Sequence, residues 1–176
     1  MRDSVKNAWE TSIIKEVKSK FPQFELQPKN AGMLKFLWQV RPSLWCIISF
    51  RPLSGESFDV FCGWSTKKQL PFSKYGCPRN ELFDFTRNSV VTWTLDYVPR
   101  DGASFWDFWE APEDVLDDPE LFFELYSEHY NKNLTDIEAK ELVSQSIEYA
   151  INEIKDYCIP YLEKRIVFYD KSSAVG

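Results

Sequence analysis

Apolar side chains recur every four positions at Val5, Trp9, Ile13 and Val17, while Lys6, Glu10, Lys15 and Lys18 take other positions of the same stretch. At 3.6 residues per turn this spacing gathers the apolar groups on one face, so residues 3 to 20 are predicted to form an amphipathic helix. Asp3 or Ser4 is placed to cap it and Pro22 to stop it. The period then changes. Segments at about residues 33 to 41, 43 to 52 and 56 to 64 are separated by Arg41-Pro42-Ser43 and Leu53-Ser54-Gly55, and in the last of them Phe58, Val60, Cys62 and Trp64 alternate with Asp59 and Gly63. Such segments between turn signals predict strands. Connections this short favour antiparallel neighbours, because a parallel pair needs a crossover of about a dozen residues. Phe24 to Gln27 and Ser89 to Tyr97 read as further strands of the same sheet.

The helical period returns twice. Pro119 to Tyr130 reads as a short helix with proline in its first position. Beyond it, Thr135 and Glu138 form the T-x-x-E pattern of a capping box, and Val143, Ile147, Ile151, Ile154 and Cys158 recur at threes and fours. Pro160 is expected to bend or end that helix, and residues 172 to 176 to fray. The predicted architecture is a single α+β domain over residues 1 to 176. It has an antiparallel sheet of about four to five strands, N-terminal and C-terminal helices packed on it, and an acidic aromatic insertion before the last helix.

Composition narrows the chemistry. The longest strictly apolar run, Leu44 to Ile48, is far short of the ~20 residues that cross a bilayer. The first residues carry mixed charge rather than a signal sequence, so the expected compartment is the cytoplasm. Cys46, Cys62 and Cys158 lie among apolar neighbours without CxxC spacing and read as reduced packing thiols, whereas Cys77, between Gly76 and Pro78, reads as a loop residue. His129 is the single histidine, which excludes two-histidine zinc motifs, and it reads as an ordinary half-exposed helical residue. The six glycines are too scattered for a phosphate-cradling loop, and there is no G-x-S-x-G elbow. No catalytic residue, metal ligand or cofactor is assigned.

The charge is unevenly distributed. Asp101, Asp107, Glu110, Glu113, Asp114, Asp117, Asp118, Glu120, Glu124 and Glu128 fall between residues 101 and 131 without one Lys or Arg, and the rest of the chain is net basic although the whole is net −6. Phe105, Trp106, Phe108, Trp109, Phe122, Phe123, Tyr126 and Tyr130 are interleaved with these acids. A disordered acidic tail is poor in aromatics, so the block is expected to be ordered. Aromatic anchors ringed by carboxylates suit recognition of a cationic protein: the rings supply desolvated area, and the charges supply steering. The opposing expectation is that the rings point into the core and the acids keep the loop solvated. The partner-binding residues predicted are Trp106, Asp107, Trp109, Glu110, Glu113, Asp114, Asp117, Asp118 and Glu120.

The opening helix, the stretches Phe36-Leu37-Trp38-Gln39-Val40-Arg41, Trp45-Cys46-Ile47-Ile48-Ser49-Phe50 and Phe58-Asp59-Val60-Phe61-Cys62-Gly63-Trp64-Ser65, and the closing Ile159-Pro160-Tyr161-Leu162 resemble small bacterial domains of unknown function built as helix, meander and helix. The resemblance covers about the first 65 residues and the last helix, and the acidic block falls outside it. It implies an accessory protein without an assigned reaction, of the kind found among immunity and antitoxin-like proteins. The expected function is therefore a protein-binding module that neutralises a basic partner, such as a toxin nuclease, with no direct nucleic-acid or membrane contact. The alternative is a small-molecule enzyme whose site lies between the sheet and the acidic segment.

Overall fold

The computed structural model describes residues 1–29, 32–42, 44–53, 55–65, 106–109 and 112–173; the side chains of Phe61, Ser65, Trp106 and residues 168–173 are not among the groups described. The predicted strand at residues 89 to 97 and the loop carrying Cys77 fall outside these residues, as does Glu110.

Helix α1 runs from Asp3 to Lys20 and buries Val5, Ala8, Trp9, Ile13 and Val17, the stripe expected from the four-residue recurrence. Its N-cap is Arg2, which gives no side-chain cap to the backbone; neither Asp3 nor Ser4 caps it. The chain then forms β1 (Glu25–Leu26), β2 (Leu34–Arg41), β3 (Leu44–Pro52) and β4 (Ser57–Ser65), and β5 (Trp106–Asp107) pairs with β4, so that the described strands lie in the order β1-β2-β3-β4-β5 with every one of these pairings antiparallel. A 3-10 turn at Glu113–Val115 leads into α2 (Pro119–Asn131), and α3 (Asp136–Glu153) follows. The Thr135–Glu138 capping box forms at the start of α3. A π turn at Ile154–Cys158 joins α3 to α4 (Ile159–Ser173). Proline has no N–H for the carbonyl four residues back and its ring crowds that carbonyl, so Pro160 accounts for the widened turn just before it. The chain is thus α+β, with helices from both ends of the sequence packed on a meander.

The period-two pattern decides what packs where. Leu34, Phe36, Cys46, Ile48, Phe50, Phe58, Val60 and Cys62 project to one face and join α1 and the buried stripe of α3, namely Ala139, Val143, Ile147, Ala150 and Ile151, in one core. Aromatic rings dominate its centre: Phe36 meets Phe50 edge-on at 5.9 Å, Trp9 lies 5.9 Å from Phe58, and Phe58 lies 5.6 Å from Phe108. On the opposite face Ile47, Lys35, Ser49 and Asp59 are withdrawn from solvent as well, while Gln39 is exposed. There Arg51 stands directly across the β3–β4 ladder from Asp59 and donates from Nε at 3.0 Å to each carboxylate oxygen. Even so, burial holds the Asp59 carboxyl above its ordinary range, the Arg51 contacts offsetting it only in part.

The cysteines require a correction. Cys62 of β4 and Cys158 at the end of the π turn are joined in a disulfide across 96 residues, rather than being reduced thiols. The bond pins the α3–α4 junction to the sheet. Cys46 is a free buried thiol, and burial pushes its pKa up to about 12, which makes it an inert packing group.

Candidate functional site

Helix α2 starts on a firm local signal. Asp118 takes the N-cap position, and its Oδ1 accepts hydrogen bonds from the Glu120 and Leu121 N–H groups at 3.1 Å each, with Pro119 behind it in the first turn. The helix nevertheless buries none of its residues. Phe122, Leu125, His129 and Tyr130 are half-buried and form its inner side. Glu120, Glu124 and Glu128 recur every four residues, one turn apart, and make an exposed acidic ridge. Beside that ridge Phe123 is 67% exposed, and Leu121 and Tyr126 are also open to solvent. In the turn leading into α2, Glu113, Asp114 and Asp117 are exposed, and so is Leu116 at 59%.

The predicted partner-binding residues therefore separate. Glu113, Asp114, Asp117, Asp118 and Glu120 come together around the start of α2, all exposed, although Asp118 is engaged as a cap. Asp107 is exposed on β5, where its backbone carbonyl accepts from the Ser146 hydroxyl and so ties the strand to α3. Trp106 pairs with Phe58 through the backbone. Trp109 points inward: it stacks on His129 with centroids 5.3 Å apart and touches Phe122 and Tyr126 at 6.1 and 5.9 Å, so it is a half-buried wedge under α2. Among the described aromatic side chains of this segment the most exposed is Phe123, which was not among the predicted set. Helical spacing carried the signal for it: Phe123 lies at positions that separate it from the inner row of Phe122, Leu125 and His129.

The inner end of α2 rests on a charged node that was not predicted. Glu56, at the turn before β4, has a side chain shielded from solvent, and Arg2 clamps it with Nε donating to Oε1 at 2.7 Å and Nη2 to Oε2 at 2.8 Å. His129 Nε2 lies 3.0 Å from Oε2 of the same carboxylate. The Glu56 N–H donates to the Tyr130 hydroxyl at 3.1 Å, and the Glu56 carbonyl accepts from the Phe108 N–H at 2.9 Å. Arg2 also donates from Nη1 to the carbonyls of His129, at 2.8 Å, and Lys132, closing the C-terminal end of α2. Burial alone would raise the Glu56 carboxyl, but the hydrogen bonds from Arg2 and His129 outweigh it and hold the group below its ordinary range. The adjoining position favours glycine, because Gly55 has φ +85°, a conformation in which any other side chain is strained.

Glu56 and His129 meet where the alternative reading placed a cleft between the sheet and the acidic segment. Both carboxylate oxygens are engaged there, and His129 is stacked under Trp109. Among the described residues no group of three or more His, Cys, Asp or Glu side chains is placed to hold a metal ion. No helix of the described residues is long and apolar enough to cross a membrane. Comparison with protein-family models, with characterised proteins and with solved structures finds no match for this chain.

Proposed function

We propose that the chain is a protein-binding module whose docking face is α2 with the turn before it, and that its partner is a basic protein of the toxin-nuclease kind, neutralised as an immunity or antitoxin-like protein would do. One observation carries the reading: a helix of 13 residues that buries none of them displays Phe123, Leu121 and Tyr126 beside an uninterrupted acidic ridge. Exposed apolar groups rimmed by charge mark interaction surfaces. Covering a phenyl or leucyl side chain contributes about 2 kcal/mol, so Phe123, Leu116 and Leu121 together supply an adhesive core. The carboxylates supply the selection. From Trp106 to Asn131 the chain holds no Lys or Arg, so a cationic cleft meets no like charge on this face, whereas a neutral or acidic partner gains nothing from it.

The experiment is a paired capture from lysate of the source cells. The baits are the wild-type chain, Asp114→Lys/Asp117→Lys/Glu124→Lys and Phe123→Ala, a set that leaves the Asp118 cap intact. A basic protein retained by the wild type and released by both variants is the expected result. Interactors recovered equally on all three baits would contradict the proposal, as would a partner that is itself acidic.

A further inference from the structure

A helix that buries no residue needs something other than apolar burial to fix its direction. Its N-terminal end is closed by its own cap and its middle leans on the Trp109 ring, while its last turn adds to the Trp109–His129 stack a set of polar contacts. Those contacts converge on Glu56, whose backbone and side chain join Arg2 before α1, Phe108 beyond β5, and His129 and Tyr130 of α2. We infer that Arg2, Glu56, His129 and Tyr130 form a latch that sets the pose of the docking helix, so that the acidic ridge and Phe123 are presented as one surface only while the latch is closed. The inference rests on the docking reading of α2 and adds its control: the start of α1, which lies outside the docking face, governs that face.

Arg2 is the positioning residue. Its fork of five N–H donors engages both oxygens of Glu56 and, with Nη1, two carbonyls at the end of α2, so one side chain bridges the sheet and the helix terminus. A positive group at a helix C-terminus also complements the helix dipole. Lysine keeps the charge but lacks the fork, and cannot hold the carboxylate and two carbonyls together. Glu56 in turn is fixed by its own turn, through the Gly55 conformation and the Phe108 hydrogen bond. Opening the latch would leave a buried carboxylate without its main partner, so the closed state is strongly preferred, and whatever draws Arg2 away also releases the last turn of α2.

Hydrogen–deuterium exchange on the full chain, with no partner present, reads the latch directly. In Arg2→Ala the amides of residues 121 to 131 are expected to exchange at least tenfold faster than in the wild type, with Arg2→Lys intermediate and Tyr130→Phe mildly faster, while α1, α3 and β2 to β4 keep wild-type rates. Unchanged α2 exchange in Arg2→Ala and Arg2→Lys would overturn the inference. So would a uniform rise across all elements, which would make the node part of the general core. Should Arg2→Ala not fold, Arg2→Lys and Tyr130→Phe carry the same test. Once a basic partner has been captured, Arg2→Lys is expected to weaken its binding although Arg2 lies outside the docking face; unchanged affinity with an opened α2 would reject control of docking. Failure of the docking reading shows instead in the charge-reversed bait, whatever the exchange result.

Discussion

A single carboxylate shows how position converts an ordinary residue into a structural hub. Glu56 is held below the usual carboxyl range because the Arg2 and His129 hydrogen bonds outweigh its burial. An acid depressed in this way stabilises the fold fully above its unfolded pKa of about 4.3 and loses that contribution as pH falls through its folded value. Asp59, raised by burial, runs the other way and partly masks the slope. Glu56→Gln should therefore cost about 3 kcal/mol near neutral pH, and its stability should fall less than that of the wild type between pH 5 and pH 3. Denaturant unfolding across that interval checks this; parallel pH profiles for the two proteins would contradict it. Little of this was legible in the sequence. Arg2, Glu56 and His129 are brought together over separations of 54 and 73 residues, and no local pattern records such a meeting. His129 in particular reads as an ordinary half-exposed helical residue until the turn that meets it is in place.

At the scale of elements the sequence was far more informative, because periodicity is a local property. The stripe Val143, Ile147, Ile151, Ile154 and Cys158 is buried throughout, the capping box closes at Thr135, and strands predicted at 33 to 41, 43 to 52 and 56 to 64 lie within one residue of the observed bounds. Pro160 is expected to bend or end the last helix, and the chain accommodates it with a π turn at Ile154–Cys158 that leads directly into α4. The disulfide escaped notice because Cys62 and Cys158 each look like a packing thiol when read among their own neighbours. Within α2 the same periodicity separates an inner row from an acidic ridge, but it could not show that the helix would stay at the surface. Ile151→Ala, which opens a cavity between α3 and the core, should destabilise the fold by about 2–5 kcal/mol, whereas Phe123→Ala should change it by less than about 0.5 kcal/mol. Thermal unfolding of the two variants distinguishes them, and a comparable loss in both would mean that Phe123 belongs to the core.

For the whole molecule, the net charge of −6 understates a polarity: the acids of residues 101 to 131 outweigh a remainder that is net basic. Those of the described acids that flank and ride on α2 share a surface with exposed rings, and this surface is proposed to select a cationic protein. The ring contact and the charges act at different stages of association. Charges steer over a Debye length of roughly 8 Å at physiological ionic strength, so their removal slows encounter and the defect fades with salt; loss of a buried ring speeds departure and is little affected by salt. The most direct measurement is therefore the association and dissociation rate of the captured basic partner with the wild type, with Asp114→Lys/Asp117→Lys/Glu124→Lys and with Phe123→Ala, across a series of salt concentrations. The account predicts a slower, salt-sensitive association for the charge reversal and a faster, salt-insensitive dissociation for Phe123→Ala. Rates for both variants equal to those of the wild type at every salt concentration would contradict it.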